Sequence, residues 1–329
     1  MHERPAIEVE DLVRRFGRFA AVDGMSFTVG TGELFGILGP NGAGKSTTIS
    51  ILCTLLRPTA GTARVAGYDV TTERDHVRSR IGVVFQEETL DEYLTAEENL
   101  RFHAVMYGVP AKAIRPRMMP LLAMAGLEER RKQDVRYFSS GMKRRLEIAR
   151  GLLHTPEVLF LDEPTIGLDP HTRLHVWDYV AEVRARERTT MFLSTHSPGE
   201  AERCDRIAIM NEGRIVAIDT PDALKASVGA DTVTLTTDDD ARAAAQLEDR
   251  LHVDVARRHD RLAVAVPDGQ VFVPKIFSAL DIGVRSVDVR RPSLDDVFIK
   301  YTGHELLDAD GDNPLQYTES SVMRALRSH

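Results

Sequence analysis

Residues Gly39-Pro40-Asn41-Gly42-Ala43-Gly44-Lys45-Ser46 fit the pattern G-x-x-x-x-G-K-[ST], and they follow an apolar run, Leu34–Leu38, that reads as a strand. A helix is expected to open at Lys45. The chemistry dictates these residue types. Glycines let backbone N–H groups curl round phosphate oxygens, Lys45 supplies charge to β- and γ-phosphates, and the Ser46 hydroxyl suits Mg²⁺. With Thr47, the segment constrains this part of the chain to a strand, loop and helix that grip a nucleoside triphosphate.

The surrounding pattern agrees. From residue 7 to 220, short apolar runs alternate with helical segments, the signature of a layered α/β domain. Strands are expected at Ile7–Val13, Met25–Val29, Leu34–Leu38, Ile81–Phe85, Val158–Leu161, Thr190–Ser194, Ile207–Met210 and Arg214–Ala217, the last two joined by the turn Asn211-Glu212-Gly213. Residues 94–150 read as a helical insert. Thr95-Ala96-Glu97-Glu98 is a capping box whose helix runs to Tyr107 and is stopped by Gly108-Val109-Pro110. A second helix covers Ala111–Ala125, with Pro116 and Pro120 predicting a break in it.

Val158-Leu159-Phe160-Leu161-Asp162-Glu163 is an apolar strand ending in two carboxylates, which places both at the carboxyl edge of a sheet, where ligands bind. Downstream of the phosphate loop, Asp162 suits Mg²⁺ through water, and Glu163 suits activation of the attacking water.

At this point the chain resembles the nucleotide-binding subunit of an ATP-binding cassette (ABC) transporter, with the motifs in the same order over residues 6–220. The resemblance implies a nucleotide-binding domain with a helical subdomain and an N-terminal antiparallel β-subdomain. It makes Gln86 the glutamine that senses Mg²⁺ and faces a transmembrane partner, and His196, in Ser194-Thr195-His196, the histidine that contacts the γ-phosphate. Asp169, in Gly167-Leu168-Asp169, matches a loop that crosses between monomers, and Phe16 falls where the family stacks an aromatic ring on adenine. The family signature Leu-Ser-Gly-Gly-Gln is matched here by Phe138-Ser139-Ser140-Gly141-Met142. Ser139 and Gly141 agree, whereas Phe138, Ser140 and Met142 depart. A Ser-x-Gly turn opening a helix still presents N–H groups and a hydroxyl to an anion. In the family that anion is the γ-phosphate held by a second subunit. The resemblance therefore implies a homodimer with two composite sites, MgATP as substrate and cofactor, and a separate membrane permease docked on the helical insert.

After Pro221 the composition shifts, and a βαββαβ order reads across Thr232–Thr236, Ala241–Arg250, Val253–Arg257, Leu262–Val266, Val271–Leu280 and Val284–Val289, with a last helix at Leu294–Thr302 before Gly303. Residues 225–303 are thus expected to form a small α+β domain, followed by a polar tail, 304–329. Arg291-Pro292-Ser293-Leu294-Asp295-Asp296-Val297-Phe298 and Gln86-Glu87-Glu88-Thr89-Leu90-Asp91 are similar to segments of daunorubicin-resistance exporter ATPases. In the tail, Asp308, Asp310, Asp312 and Glu319 match a calcium-loop template, but Asn313 stands where its glycine belongs, which favours an acidic tail.

Composition limits the alternatives. The 329 residues carry 42 Lys+Arg against 50 Asp+Glu, a net charge of −8, which argues against nucleic acid as partner despite Lys143-Arg144-Arg145. No apolar run reaches the roughly 18 residues of a membrane helix, and the charged start Met1–Pro5 has no signal core. The chain is expected to be cytoplasmic, peripheral on the inner face of the membrane. Cys53 and Cys204 suggest neither a disulfide nor a zinc cluster. Two other readings share the motifs: an ABC-type ATPase acting on ribosomes or DNA, and an ATP-dependent drug-binding resistance module. One phosphate loop and the absence of sustained heptads argue against the first. An intact Glu163 argues against a non-hydrolysing form of the second.

Overall fold

A computed structural model describes residues 4–187, 189–258 and 261–303. The chain divides into two compact units between Thr220 and Pro221. In the first, β1 (Ile7–Phe16) and β2 (Phe19–Val29) form a hairpin, followed by β3 (Leu34–Leu38) and α1 (Lys45–Leu52). Next come β4 (Ala60–Val65), β5 (Tyr68–Asp69), α2 (Arg74–Arg78) and β6 (Ile81–Val84). The insert contributes α3 (Ala96–Met106), α4 (Ala111–Met124) and α5 (Ser140–Leu152). The chain then returns through β7 (Val158–Asp162), α6 (Pro170–Glu187), β8 (Thr190–Thr195), α7 (Pro198–Ala201), β9 (Arg206–Asn211) and β10 (Arg214–Asp219).

Two sheets share one core. The central sheet has the order β10-β9-β3-β8-β7-β6, and its strands run parallel except for β10. Every residue of β3, β7 and β8 is buried, which is why these strands read as unbroken apolar runs. An antiparallel sheet, β2-β1-β4-β5, packs on it. Phe27 stacks on Phe35 with centroids 5.5 Å apart, and Phe35 on Phe192 at 5.7 Å. Each buried ring contributes about 1.5–3 kcal/mol.

The parallel arrangement brings the carboxyl ends of β3, β6, β7 and β8 to a single edge, so the segments that follow them, Gly39–Ser46, Gln86, Asp162-Glu163 and His196, open from that edge.

Three readings need correction. β4 and β5 were not legible, because Ala60-Gly61-Thr62-Ala63-Arg64-Val65 buries only Ala63 and Val65 and carries a glycine. β2 starts six residues earlier than expected. Asp23-Gly24 looks like a turn but lies within the strand, where Leu12 and Val13 of β1 pair with Met25 and Asp23 and Gly24 is the extra residue of a bulge on β2. α4 is continuous through Pro116 and Pro120. The two prolines are four residues apart on its exposed face, so the carbonyls they leave without a donor face water.

The second unit holds α8 (Pro221–Val228), β11 (Asp231–Thr237), α9 (Asp240–Leu251), β12 (Val255–Arg258), β13 (Arg261–Val266), α10 (Gly269–Ala279), β14 (Val284–Arg290) and α11 (Leu294–Thr302). Its antiparallel sheet has the order β12-β13-β11-β14. Val233 and Leu235 alternate inward on β11 and meet Leu247 of α9 and Phe272 and Ile276 of α10. α8, which has no counterpart in the sequence reading, packs against α11. The start of α11 is fixed by a capping box between Ser293 and Asp296, and its end by Gly303 at φ 79°. The calcium-loop residues Asp308, Asp310, Asp312 and Glu319 lie outside the described residues. No described helix is long and apolar enough to cross a membrane, and Cys53 and Cys204 are buried free thiols.

Candidate functional site

The phosphate loop links β3 to α1. Gly44, at φ 105°, is held against β2 so closely that a Cβ would lie 2.1 Å from the Ala21 carbonyl oxygen, so no other residue fits there. α1 starts without a side-chain cap and without an acidic residue in its first turn, which leaves its N–H groups and dipole to an anion. The loop is pinned by Gly39 N–H to the Thr195 carbonyl (3.2 Å) and by Gly213 N–H to the Ala43 carbonyl (2.9 Å). Pro40, Asn41, Gly42 and Ala43 form its turn, and Thr47 lies in the first turn of α1.

Lys45 is 4% exposed. Its Nζ donates to the carbonyls of Gly39 (2.8 Å) and Pro40 (3.1 Å) and lies 3.2 Å from Glu163 Oε1. Glu163 Oε2 is 2.8 Å from His196 Nδ1. The carboxylate therefore sits between the Lys45 ammonium at the start of α1 and the His196 ring just after β8. It reaches them because Glu163 adopts φ 46°, a left-handed conformation rare outside glycine, while its N–H donates to both the carbonyl and the hydroxyl of Ser194 at 3.1 Å.

Next to it, Asp162 Oδ1 accepts from Ser46 Oγ at 3.2 Å and from the Ser194 hydroxyl. Two hard oxygen donors, the Ser46 hydroxyl and the Asp162 carboxylate, converge here. No cluster of three or more His, Cys, Asp or Glu ligands occurs among the described residues. A divalent cation at this place would take few protein ligands and draw the rest from phosphate and water, the habit of Mg²⁺.

Burial and neighbours push the two carboxyls apart. Burial, with the charge of Glu163, raises the Asp162 pKa above the usual value despite hydrogen bonds from Ser194 and Ser46. Burial also acts to raise Glu163, but the hydrogen bond from His196 and the charge of Lys45 outweigh it and hold the carboxyl below its ordinary range. The same hydrogen bond raises His196 against its own burial. Glu163 is thus an ionised acceptor, the state a proton-abstracting base needs.

The other predicted residues are dispersed. Gln86 is exposed after β6, and its side chain makes no hydrogen bond to Ser46, Asp162 or Glu163 among the described residues. Phe16 is half-buried at the end of β1, with the Arg14 guanidinium 4.5 Å over its ring. Ser139 caps α5, its hydroxyl accepting from Met142 N–H at 3.3 Å. Ser140 is exposed. Gly141 packs so closely on α6 that a Cβ would meet Thr172 Cγ2 at 2.1 Å. Asp169 accepts from His171 N–H (3.1 Å) and Thr172 N–H (3.0 Å) at the start of α6, and hydrogen bonding from Thr172 lowers its pKa. No hydrogen bond joins Ser139, Ser140, Gly141 or Asp169 to the phosphate loop, Asp162, Glu163 or His196 among the described residues.

Two residues that organise the site were missed. Ser194 bridges Asp162 and the Glu163 backbone, and its signal lay in the quoted Ser194-Thr195-His196. Glu200 is a buried carboxylate that accepts from Thr165 and, at 2.7 Å, from Thr195, tying the segment after Glu163 to the one before His196.

Comparisons with known proteins give the family. Residues 22–166 match the family model described as ABC transporter, and residues 220–302 match that of the ATP-binding protein DrrA1-3-like C-terminal domain. The chain is 42% identical to the daunorubicin/doxorubicin resistance ATP-binding protein DrrA of Streptomyces peucetius, over 91% of this chain and 93% of that protein. It is 38% identical to the Nod factor export ATP-binding protein I of Ralstonia nicotianae, over 92% and 96%. Among solved structures, an ATP-binding cassette captured as a dimer in a post-hydrolysis state with ADP and Pi matches at a TM-score of 0.58 and 26% identity, over 65% of this chain and 98% of that one. The chain belongs to the ABC transporter family, as a nucleotide-binding, ATP-hydrolysing subunit of the DrrA-like exporter type.

Proposed function

We propose that the edge of the central sheet binds MgATP and that Glu163 is the general base of its hydrolysis. The observation that carries this reading is the placement of an ionised Glu163 between Lys45 and His196, beside the Ser46–Asp162 pair. Gly39–Thr47 hold the phosphates, Lys45 turns from Glu163 to the β- and γ-phosphates, Phe16 stacks on adenine, and His196 contacts the γ-phosphate. Ser46, Gln86 and, through water, Asp162 hold Mg²⁺, which neutralises phosphate charge. Water attacks the γ-phosphorus, its proton passes to Glu163, and the bond to the departing ADP oxygen breaks.

Ser139, Ser140, Gly141 and Asp169 act on the site of a second copy, so two chains assemble head to tail around two nucleotides. Dimeric solved structures of related cassettes support this arrangement. ATP then holds the copies together and hydrolysis releases them, a two-state cycle that can do work on a bound partner.

That partner is a separate membrane permease, with this subunit on the cytoplasmic face. The helical insert and the residue before it support this: Tyr93 is 80% exposed, and Phe102 (63%) and Met106 (68%) line, with Leu94, Asn99, His103 and Arg150 among others, a cavity of about 330 Å³. The cargo in this reading is a drug, a lipid or another hydrophobic compound; the names of the relatives, one a daunorubicin/doxorubicin resistance protein and one a Nod factor export protein, support the export role.

Affinity purification of tagged Glu163→Gln protein from native membranes with MgATP, followed by mass spectrometry, tests the assembly. A polytopic membrane protein in stoichiometric amount is the expected result. Ribosomal or DNA-repair proteins, with no membrane protein, would contradict it.

A further inference from the structure

α5 grips the segment that carries Gln86. Lys143 Nζ lies 2.8 Å from Glu88 Oε2 and 2.6 Å from Glu92 Oε1. Glu147 Oε1 accepts from both the N–H (2.7 Å) and the hydroxyl (2.9 Å) of Thr89, and Arg150 donates to the Thr89 carbonyl at 2.8 Å. Between them, Arg144 donates to the carbonyls of Phe85 (2.6 Å), Gln86 (3.2 Å) and Glu163 (3.4 Å), and pairs with Glu147 Oε2 at 3.0 Å. Lys143 and Arg144, two of the three residues of the basic run, therefore face the segment after β6, while Arg145 turns away and donates to the Ala125 carbonyl at 2.8 Å.

Arg144 and Glu147 are 6% and 1% exposed. Burying an ion pair brings little net stability, so stability alone does not account for this one. A guanidinium is a planar fork, and here it fixes backbone oxygens of two segments that meet only in space. One of them belongs to Glu163, whose N–H is held from the other side by Ser194. The Glu163 peptide is thus clamped between β8 and α5. Because this residue sits at φ 46°, its backbone orientation decides where its carboxylate points.

We infer that Arg144, held by Glu147, is a positioning residue for Glu163 that links the backbone of the Gln86 segment to the base. A displacement of residues 85–89 by whatever docks beside them moves Arg144 and, through it, the Glu163 peptide. This inference rests on Glu163 being the general base.

The test is single-turnover hydrolysis of radiolabelled ATP by the full chain, with ATP affinity measured in parallel, well below each variant's Tm. The variants are Arg144→Gln, Glu147→Gln, Glu163→Gln, and each of the first two combined with Glu163→Gln. Glu147→Gln keeps an amide acceptor for Thr89 and serves if Arg144→Gln does not fold. Arg144→Gln and Glu147→Gln are each expected to slow hydrolysis about ten- to hundredfold, the scale of a misplaced catalytic group, with ATP affinity within about twofold of wild type. In the Glu163→Gln background neither is expected to slow the residual rate further, since the group it positions is already lost. The same factor of loss with and without Glu163, or a rate loss that follows loss of ATP affinity, would overturn the inference while leaving the base in place. Wild-type hydrolysis by Glu163→Gln alone would instead overturn the base.

Discussion

Glu163 is contested at the residue scale. Its carboxylate pairs with Lys45 and accepts from His196, so on the proposed function the phosphates of ATP would compete with it for Lys45. Charge-assisted hydrogen bonds of this kind contribute about 1.5–3 kcal/mol. Lys45→Ala is accordingly expected to weaken ATP binding by about ten- to 150-fold, read by titration with a fluorescent nucleotide. An unchanged affinity would remove Lys45 from the site. Lys45, Ser46, Asp162 and Glu163 were legible in the sequence because each lies in a contiguous motif whose spacing reflects one local task. Ser194, Glu200 and Arg144 were not, because they act through hydrogen bonds to groups distant in sequence: 31 residues for Ser194 to Glu163, 35 for Glu200 to Thr165, and 19 and 59 for Arg144 to Glu163 and Phe85. Nothing in local spacing marks such a partner.

At the scale of elements, the position of α5 depends on how closely it approaches β6. A Cβ on Gly82 would lie 2.2 Å from the Gly151 carbonyl oxygen, and backbone cannot step aside as a side chain can. Gly82→Ala should therefore cost about 1–3 kcal/mol or more, seen as a lowered urea midpoint; an unchanged midpoint would mean that α5 is free to shift. The insert also carries a pH dependence. His103 packs at a tilt against Tyr107 with centroids 4.5 Å apart, and Tyr107 stacks on His154 at 4.1 Å. Burial, and then the facing charges of Arg150 and His154, push the His103 pKa from 6.5 down to about 4. Between those values the unfolded chain binds more protons at this group than the folded one, so its contribution makes stability rise with pH and fall on acidification from 6.5 towards 4. His103→Gln is expected to flatten that part of a Tm-against-pH curve, and an unaltered slope would contradict the assignment. Elements with strong periodicity or caps, such as α3 with its Thr95–Glu98 box, were legible. β4 was not, since it buries only Ala63 and Val65 and its first three residues, Ala60-Gly61-Thr62, are exposed, and the continuity of α4 was not, since only the fold shows that Pro116 and Pro120 both face water.

For the whole molecule, the groups that the family resemblance assigns to one nucleotide fall at separate places in a single chain. Lys45, Ser46, Asp162, Glu163 and His196 share the sheet edge, while Ser139 and Asp169 cap the starts of α5 and α6. A second copy that brings its α5 to the first copy's phosphate loop would complete the site. Sedimentation of Glu163→Gln protein with and without MgATP, alongside its hydrolysis rate, tests this assembly. A monomer is expected without nucleotide, a dimer holding two ATP per pair with MgATP, and hydrolysis reduced by about 10²-fold or more. A monomer that binds ATP tightly, or a variant that hydrolyses ATP at the wild-type rate, would contradict it.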